Sequence, residues 1–197
     1  MLEKNHVLKT AAIVPPLVFF CVFLCFGSCV SAAKSSAVPP HAYLTDTSRF
    51  LLLPTRDIGK PIDMPQRISA SFQGRDLSLL AWVKADESEI QVTLLNEMGT
   101  NIGELFYSDY SISLSSEVLP GSIKPEYIIA DFQLCFYNAV LISKALKDCG
   151  LDMETSETTR RILKGNDVVY EIVMDSEWVR ITNHLRGYTY TLEGDFS

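Results

Sequence analysis

Period-two alternation of apolar side chains, repeated in short runs between polar turns, restricts this chain more than any other feature. Leu77, Leu79, Ala81 and Val83 alternate with Ser78, Leu80, Trp82 and Lys84, the spacing that sends successive side chains to opposite faces of a strand. Both sets are largely apolar until Lys84, so both faces are expected to be covered. Residues 85–88 supply a turn, Ile90, Val92 and Leu94 alternate with Gln91 and Thr93, and Gly99 marks the next turn. Residues 101–107 read as a third strand, Asp109 as another turn and residues 111–115 as a fourth strand. Short runs joined by short polar turns describe an antiparallel meander.

Pro120 and Gly121 end that block. Pro125 suits the first turn of a helix, where its missing N–H is not needed, and residues 127–136 are apolar apart from Asp131 and Gln133. Asn138 is placed to cap a second helix. Ala139, Ile142, Leu146 and Cys149 fall on one stripe at helical spacing, and Gly150 supplies the stop. Strands then resume over residues 158–163, 168–174, 178–183 and 188–193. The fold class is mainly β with a helical insert (α+β): a curved antiparallel sheet with two short helices against its concave side.

The first nine residues carry Lys4 and Lys9 against Glu3, and a nearly unbroken apolar run follows from Ala11 to Phe26. The charged, apolar, small-residue order is that of a secretory signal. A membrane-spanning helix needs about 20 apolar residues, and Pro15 and Pro16 interrupt this run near its start. Two cleavage sites compete. Val30-Ser31-Ala32 fits the ordinary signal peptidase, giving a soluble periplasmic protein. Phe26-Gly27-Ser28-Cys29 resembles the bacterial lipobox, with Phe26 in place of the usual leucine; Cys29 would then be diacylated and become the first residue. Cys29, unlike Cys21 and Cys25, stands where the apolar run ends behind two small residues, which favours lipidation. Two or three acyl chains anchor stably where one does not. Val30 is not the aspartate associated with inner-membrane retention, so the periplasmic face of the outer membrane is the expected address. The expected division is a signal peptide over 1–28, a lipidated N-terminus and tether over 29–45, and one domain over 46–197.

Without the first 28 residues, which hold Glu3, Lys4 and Lys9, acidic residues fall from 24 to 23 and basic ones from 17 to 15, a net charge of −8. So acidic a domain is a poor partner for nucleic acid. Only Cys135 and Cys149 remain beyond Cys29, too few for a disulfide framework. A helix from Asn138 to Cys149 spans about 17 Å, which sets Cys149 far from Cys135 and disfavours a bridge.

Residues 127–134, Tyr-Ile-Ile-Ala-Asp-Phe-Gln-Leu, followed by residues 183–188, Asn-His-Leu-Arg-Gly-Tyr, resemble an uncharacterised bacterial lipoprotein family. That family is encoded beside fatty-acid-synthase-like clusters, notably those making aryl polyenes. The resemblance spans about residues 66–195. It implies a fold similar to the LolA/LolB lipoprotein carriers, an incomplete antiparallel β-barrel closed by short helices over an apolar cavity. It also implies an outer-membrane lipoprotein that handles a lipid or acyl product.

A half-closed sheet with an incomplete cover leaves a lipid-sized gap. Leu79, Trp82, Val92, Leu94, Leu105, Tyr107, Ile128 and Phe132 are the residues expected to touch such a ligand; for each, plain core is the competing role. Asp131 and Arg186 are charges inside apolar motifs, read either as a pair pinning the helices to the last hairpin or as two separate solvated residues. Cys135 and His184, with Asp131, could be cast as nucleophile, base and orienter, but such groups are recognised by geometry, and Cys135 in its apolar run reads as an inert thiol. His41 and His184 lack metal-ligand spacing, and no Gly-rich phosphate loop is present. No enzymatic activity, metal or cofactor is expected. The leading function is binding and transfer of a lipid or acyl group. Its rivals are a scaffold docking envelope proteins and, last, a thiol-dependent acyl hydrolase.

Overall fold

A computed structural model of the protein describes residues 39–72, 75–109, 111–116, 119, 121 and 123–197; the apolar run, both cleavage sites and Cys29 lie outside the described residues. The chain begins with two short strands, β1 (His41–Tyr43) and β2 (Arg49–Leu51), which pair with each other, and one 3₁₀ turn at Thr55–Asp57. Five strands follow: β3 (Ile62–Phe72), β4 (Arg75–Ala85), β5 (Ile90–Leu95), β6 (Asn101–Ser108) and β7 (Ser111–Ser116). Helices α1 (Pro125–Phe136) and α2 (Ala139–Asp148) come next. The chain ends with β8 (Asp152–Thr155), β9 (Thr159–Lys164), β10 (Asp167–Met174), β11 (Trp178–Asn183) and β12 (Tyr188–Glu193).

β3 to β12 form one ten-stranded antiparallel sheet in the order β7-β6-β5-β4-β3-β12-β11-β10-β9-β8. It is two five-stranded meanders joined side by side where the first strand, β3, pairs with the last, β12. The helices carry the chain from one free edge to the other, and the sheet does not close, since β7 and β8 are its two ends. α1 rests against β1 and β7, and α2 against β2 and β8.

Local chemistry explains most element ends. Pro125 opens α1, and the Asn138 side chain accepts from the Val140 N–H at 2.8 Å, capping α2. Gly150 takes φ +78 just past α2, a conformation that side chains with a Cβ disfavour. At the C-terminus of α1, the Arg160 guanidinium donates to the carbonyls of Leu134 and Tyr137 at 2.7 and 3.0 Å, meeting orphan acceptors with a positive charge. Gly103 stands where β6 crowds β7: a Cβ there would lie 2.7 Å from Ser116 Cβ.

Two expectations need correction, and two strands add to those expected. Residues 41–45, assigned to the tether, belong to the fold: His41–Tyr43 form β1, and Ala42, Leu44 and Thr45 are buried. Strands β3 and β8 go beyond the expected elements, although in β3 Ile62, Met64, Ile68 and Ala70 alternate with Asp63, Pro65, Ser69 and Ser71. In β3, Pro65 sits beyond the last pairing with β12, Arg67 with Glu193, where the strand has one neighbour only and proline is tolerated. Nor are both faces of β4 covered. The helices cover one face, and on the other Ser78, Trp82 and Lys84 are exposed.

Buried polar bonds fasten α1. Gln133 is fully buried; its Oε1 accepts from the Leu53 N–H at 2.9 Å and its Nε2 donates to the Leu53 carbonyl at 2.7 Å. The Tyr107 hydroxyl donates to the same carbonyl at 2.8 Å. Residue 53 is thereby held between α1 and β6.

Candidate functional site: an apolar cavity beneath the first helix

Antiparallel partners project to the same side of a sheet, so the register decides what faces α1. Val83 pairs with Val92, Val92 with Leu105 and Leu105 with Leu114, a row crossing β4 to β7. A second row runs Ile181, Tyr190, Ala70 and Leu77 across β11, β12, β3 and β4. Between these rows and α1 lies a cavity of about 300 Å³, at the lower end of the range for small-molecule sites. Leu77 and Ile123, at 39% and 37% exposure, are lining residues that also meet solvent, so they mark its mouth.

Leu79, Val92, Leu94 and Leu105 line the cavity from the sheet, and Ile128 and Phe132 line it from α1. Trp82 and Tyr107 do not. Trp82 has the opposite parity to Ala81 and Val83. It is 47% exposed on the outer face, where its indole N–H donates to Asp63 Oδ1 at 2.7 Å. Tyr107 shares the inner face with Leu105 but is buried where its hydroxyl meets Leu53. Gln66, Ile68, Ala70, Tyr188 and Tyr190 line the cavity without having been singled out in the sequence. The tyrosines were legible in the alternation of β12, and Ile68 and Ala70 in that of β3, where Gln66 is a polar member of the same alternating set.

Asp131 is 5% exposed and lines the cavity. Its Oδ2 accepts from the hydroxyls of Tyr188 and Tyr190 at 3.0 and 3.1 Å. Its Oδ1 is buried with no hydrogen-bond partner among the described residues, as is Gln66 Nε2. Arg186 donates to the Tyr43 carbonyl at 2.6 Å and to the Tyr127 hydroxyl at 3.2 Å, and its guanidinium lies 4.3 Å from the centre of the Tyr127 ring. No ion pair between Asp131 and Arg186 is found among the described residues. The hairpin is instead tied to α1 through tyrosines: Asp131 reaches β12 through Tyr188 and Tyr190, and Arg186 reaches α1 through Tyr127.

Burial pushes the Asp131 carboxyl up to about 7, against the opposing pull of the two tyrosine hydroxyls and then of Arg186. Burial, and then the Asp131 charge, push the phenols of Tyr170, Tyr188 and Tyr190 and the thiol of Cys135 upward in turn. A carboxyl whose folded pKa lies above its unfolded value favours folding at low pH, and that contribution is lost as pH rises from about 4 to about 7. The slope approaches about 1.4 kcal/mol per pH unit. Asp131→Asn removes it. The variant is expected to gain stability relative to wild type on going from pH 4.5 to pH 8 in urea titrations; parallel pH profiles would show that this carboxyl does not titrate on unfolding.

Cys135 is buried, whereas His184 is exposed in the turn before β12, with its backbone N–H on the Val169 carbonyl. No hydrogen bond joins the two among the described residues. Cys135 and Cys149 are free thiols, and Cys149 Sγ donates to the Leu146 carbonyl at 3.1 Å. His41 lies in β1 against Arg49 and Tyr43. Among the described residues no group of side chains is arranged to hold a metal ion, and no helix is long and apolar enough to cross a membrane.

Fold and site together define a mainly β protein whose large open antiparallel sheet, with two helices, encloses an apolar cavity holding one buried carboxyl. The chain belongs to the family described as protein of unknown function (DUF3261), whose model matches residues 63–194. No curated protein matches it.

Proposed function

We propose that this protein is an outer-membrane lipoprotein that binds a lipid or acyl group in the cavity beneath α1 and assists lipid or lipoprotein transfer. The cargo is a fatty-acid-like or aryl polyene product. The observation that carries this reading is the 300 Å³ cavity walled almost wholly by aliphatic and aromatic side chains. Such a space gains free energy from a bound chain at about 0.8 kcal/mol per buried methylene. Likeness to the LolA/LolB carriers is part of the same proposal: an incomplete barrel with helices across an apolar interior is the arrangement such carriers use.

Native mass spectrometry of the protein purified without detergent tests the binding. A bound mass in the acyl range is expected, and a domain that stays empty after incubation with dodecanoic acid rules the reading out. Anchoring is tested separately. Cells fed labelled palmitate should label the wild-type protein and leave Cys29→Ala unlabelled and released from the outer membrane. Equal labelling of both would exclude Cys29 as the attachment site.

A further inference from the structure

Two residues that line the cavity each carry a buried polar atom left over when the protein's own bonds are assigned. Gln66 Nε2 and Asp131 Oδ1 are both buried without a hydrogen-bond partner among the described residues. The neighbouring tyrosine hydroxyls bond elsewhere, Tyr188 and Tyr190 donating to Asp131 Oδ2 and Tyr127 accepting from Arg186, and among the described residues none reaches either leftover atom. Buried polar groups in folded proteins are almost always satisfied, so an unpaired one calls for a specific explanation. Two on residues that line the same apolar space point to a common one.

We infer that the cavity is built for a chain carrying oxygen substituents, a hydroxyl that donates to Asp131 Oδ1 and a carbonyl oxygen that accepts from Gln66 Nε2, rather than for plain hydrocarbon. The two atoms ask for opposite things. Above about pH 7, where the Asp131 carboxyl is ionised, its oxygen accepts while the amide NH₂ donates. A ligand must therefore offer both a donor and an acceptor to satisfy them, and the displacement test is run at pH 8. They also come from different walls, Gln66 from β3 in the sheet and Asp131 from α1 above it, so an occupant lying between sheet and helix can meet both. A hydroxylated acyl ester or amide supplies one group of each kind on an otherwise apolar chain. The remaining lining, Ile68, Leu79, Val92 and Leu94 among it, takes the methylenes. This inference rests on the acyl-binding reading and specifies its ligand class.

The test is displacement of the fluorescent probe N-phenyl-1-naphthylamine from the full-length protein by methyl dodecanoate and by its hydroxylated positional isomers. At least one hydroxylated isomer is expected to compete about tenfold better than the plain ester, the worth of one hydrogen bond to a buried group that otherwise has none. Gln66→Leu, which breaks no side-chain hydrogen bond found among the described residues, is expected to keep its thermal stability and to bind the plain ester about tenfold more weakly. If every hydroxylated isomer competes no better than methyl dodecanoate, Asp131 does not read a hydroxyl and the inference falls while acyl binding stands. An unchanged ester affinity in Gln66→Leu removes the carbonyl contact in the same way. If no ester displaces the probe, the acyl-binding reading itself fails.

Discussion

Gln133→Ala is expected to lower the unfolding free energy by about 3 kcal/mol, a large share of the 5–15 kcal/mol typical of a domain. The amide of Gln133 bonds both the N–H and the carbonyl of Leu53, 80 residues earlier in the chain. Truncation leaves the half-buried Leu53 N–H without this partner, and the Leu53 carbonyl keeps the Tyr107 hydroxyl. The loss of an amide from a fully buried site also leaves a void beside α1. Urea denaturation measures the effect. A loss below about 1 kcal/mol, the net worth of a single ordinary hydrogen bond, would mean that residue 53 finds other partners and that α1 is held mainly by its apolar face.

Ala70→Phe is expected to abolish acyl binding while leaving the domain folded. Ala70 lines the cavity on β3, between Tyr190 on one side and Leu77 on the other. A phenyl ring there occupies space that about four methylenes of a ligand would fill. At about 0.8 kcal/mol each that is roughly 3 kcal/mol, or more than a hundredfold in affinity. Because the ring enters existing empty space, the strain of an overfilled core, typically about 1–3 kcal/mol, is not expected, and the thermal midpoint should hold or rise. Probe displacement and thermal unfolding read the two effects separately. Unimpaired binding by a folded Ala70→Phe protein would place the ligand elsewhere.

Both residues illustrate where sequence reading stops. Gln133 was visible as a polar interruption in an apolar helix, but its partner is a backbone group in an irregular segment with no pattern of its own. Ala70 belongs to the alternating apolar set of β3, yet its importance comes from facing Tyr190 across the β3–β12 junction, which the alternation does not disclose. Asp131 and Arg186 stood out for the opposite reason, as charges in apolar motifs. Asp131 does meet the last hairpin, in whose turn Arg186 lies, yet tyrosines make the connections, and nothing local to either residue specifies that. Trp82 was read as a ligand contact because both sides of β4 are apolar. Composition cannot say which side a helix will cover, and the indole lies on the uncovered one.

The amino-acid sequence by itself determined the strand over Leu77 to Lys84, those from Ile90 to Ser116 and from Thr159 to Glu193, the turns between them and the two helices with their caps. Each of these follows from interactions within a few residues: side-chain alternation, a proline at a helix start, an asparagine accepting from a backbone N–H, a glycine at positive φ. Tertiary structure alone decided the joining of β3 to β12, the choice of inner face, the capture of residues 41–45 into the fold and the cavity with its unpaired Gln66 and Asp131. Those depend on which distant surfaces meet, and a space between elements belongs to no single stretch of chain.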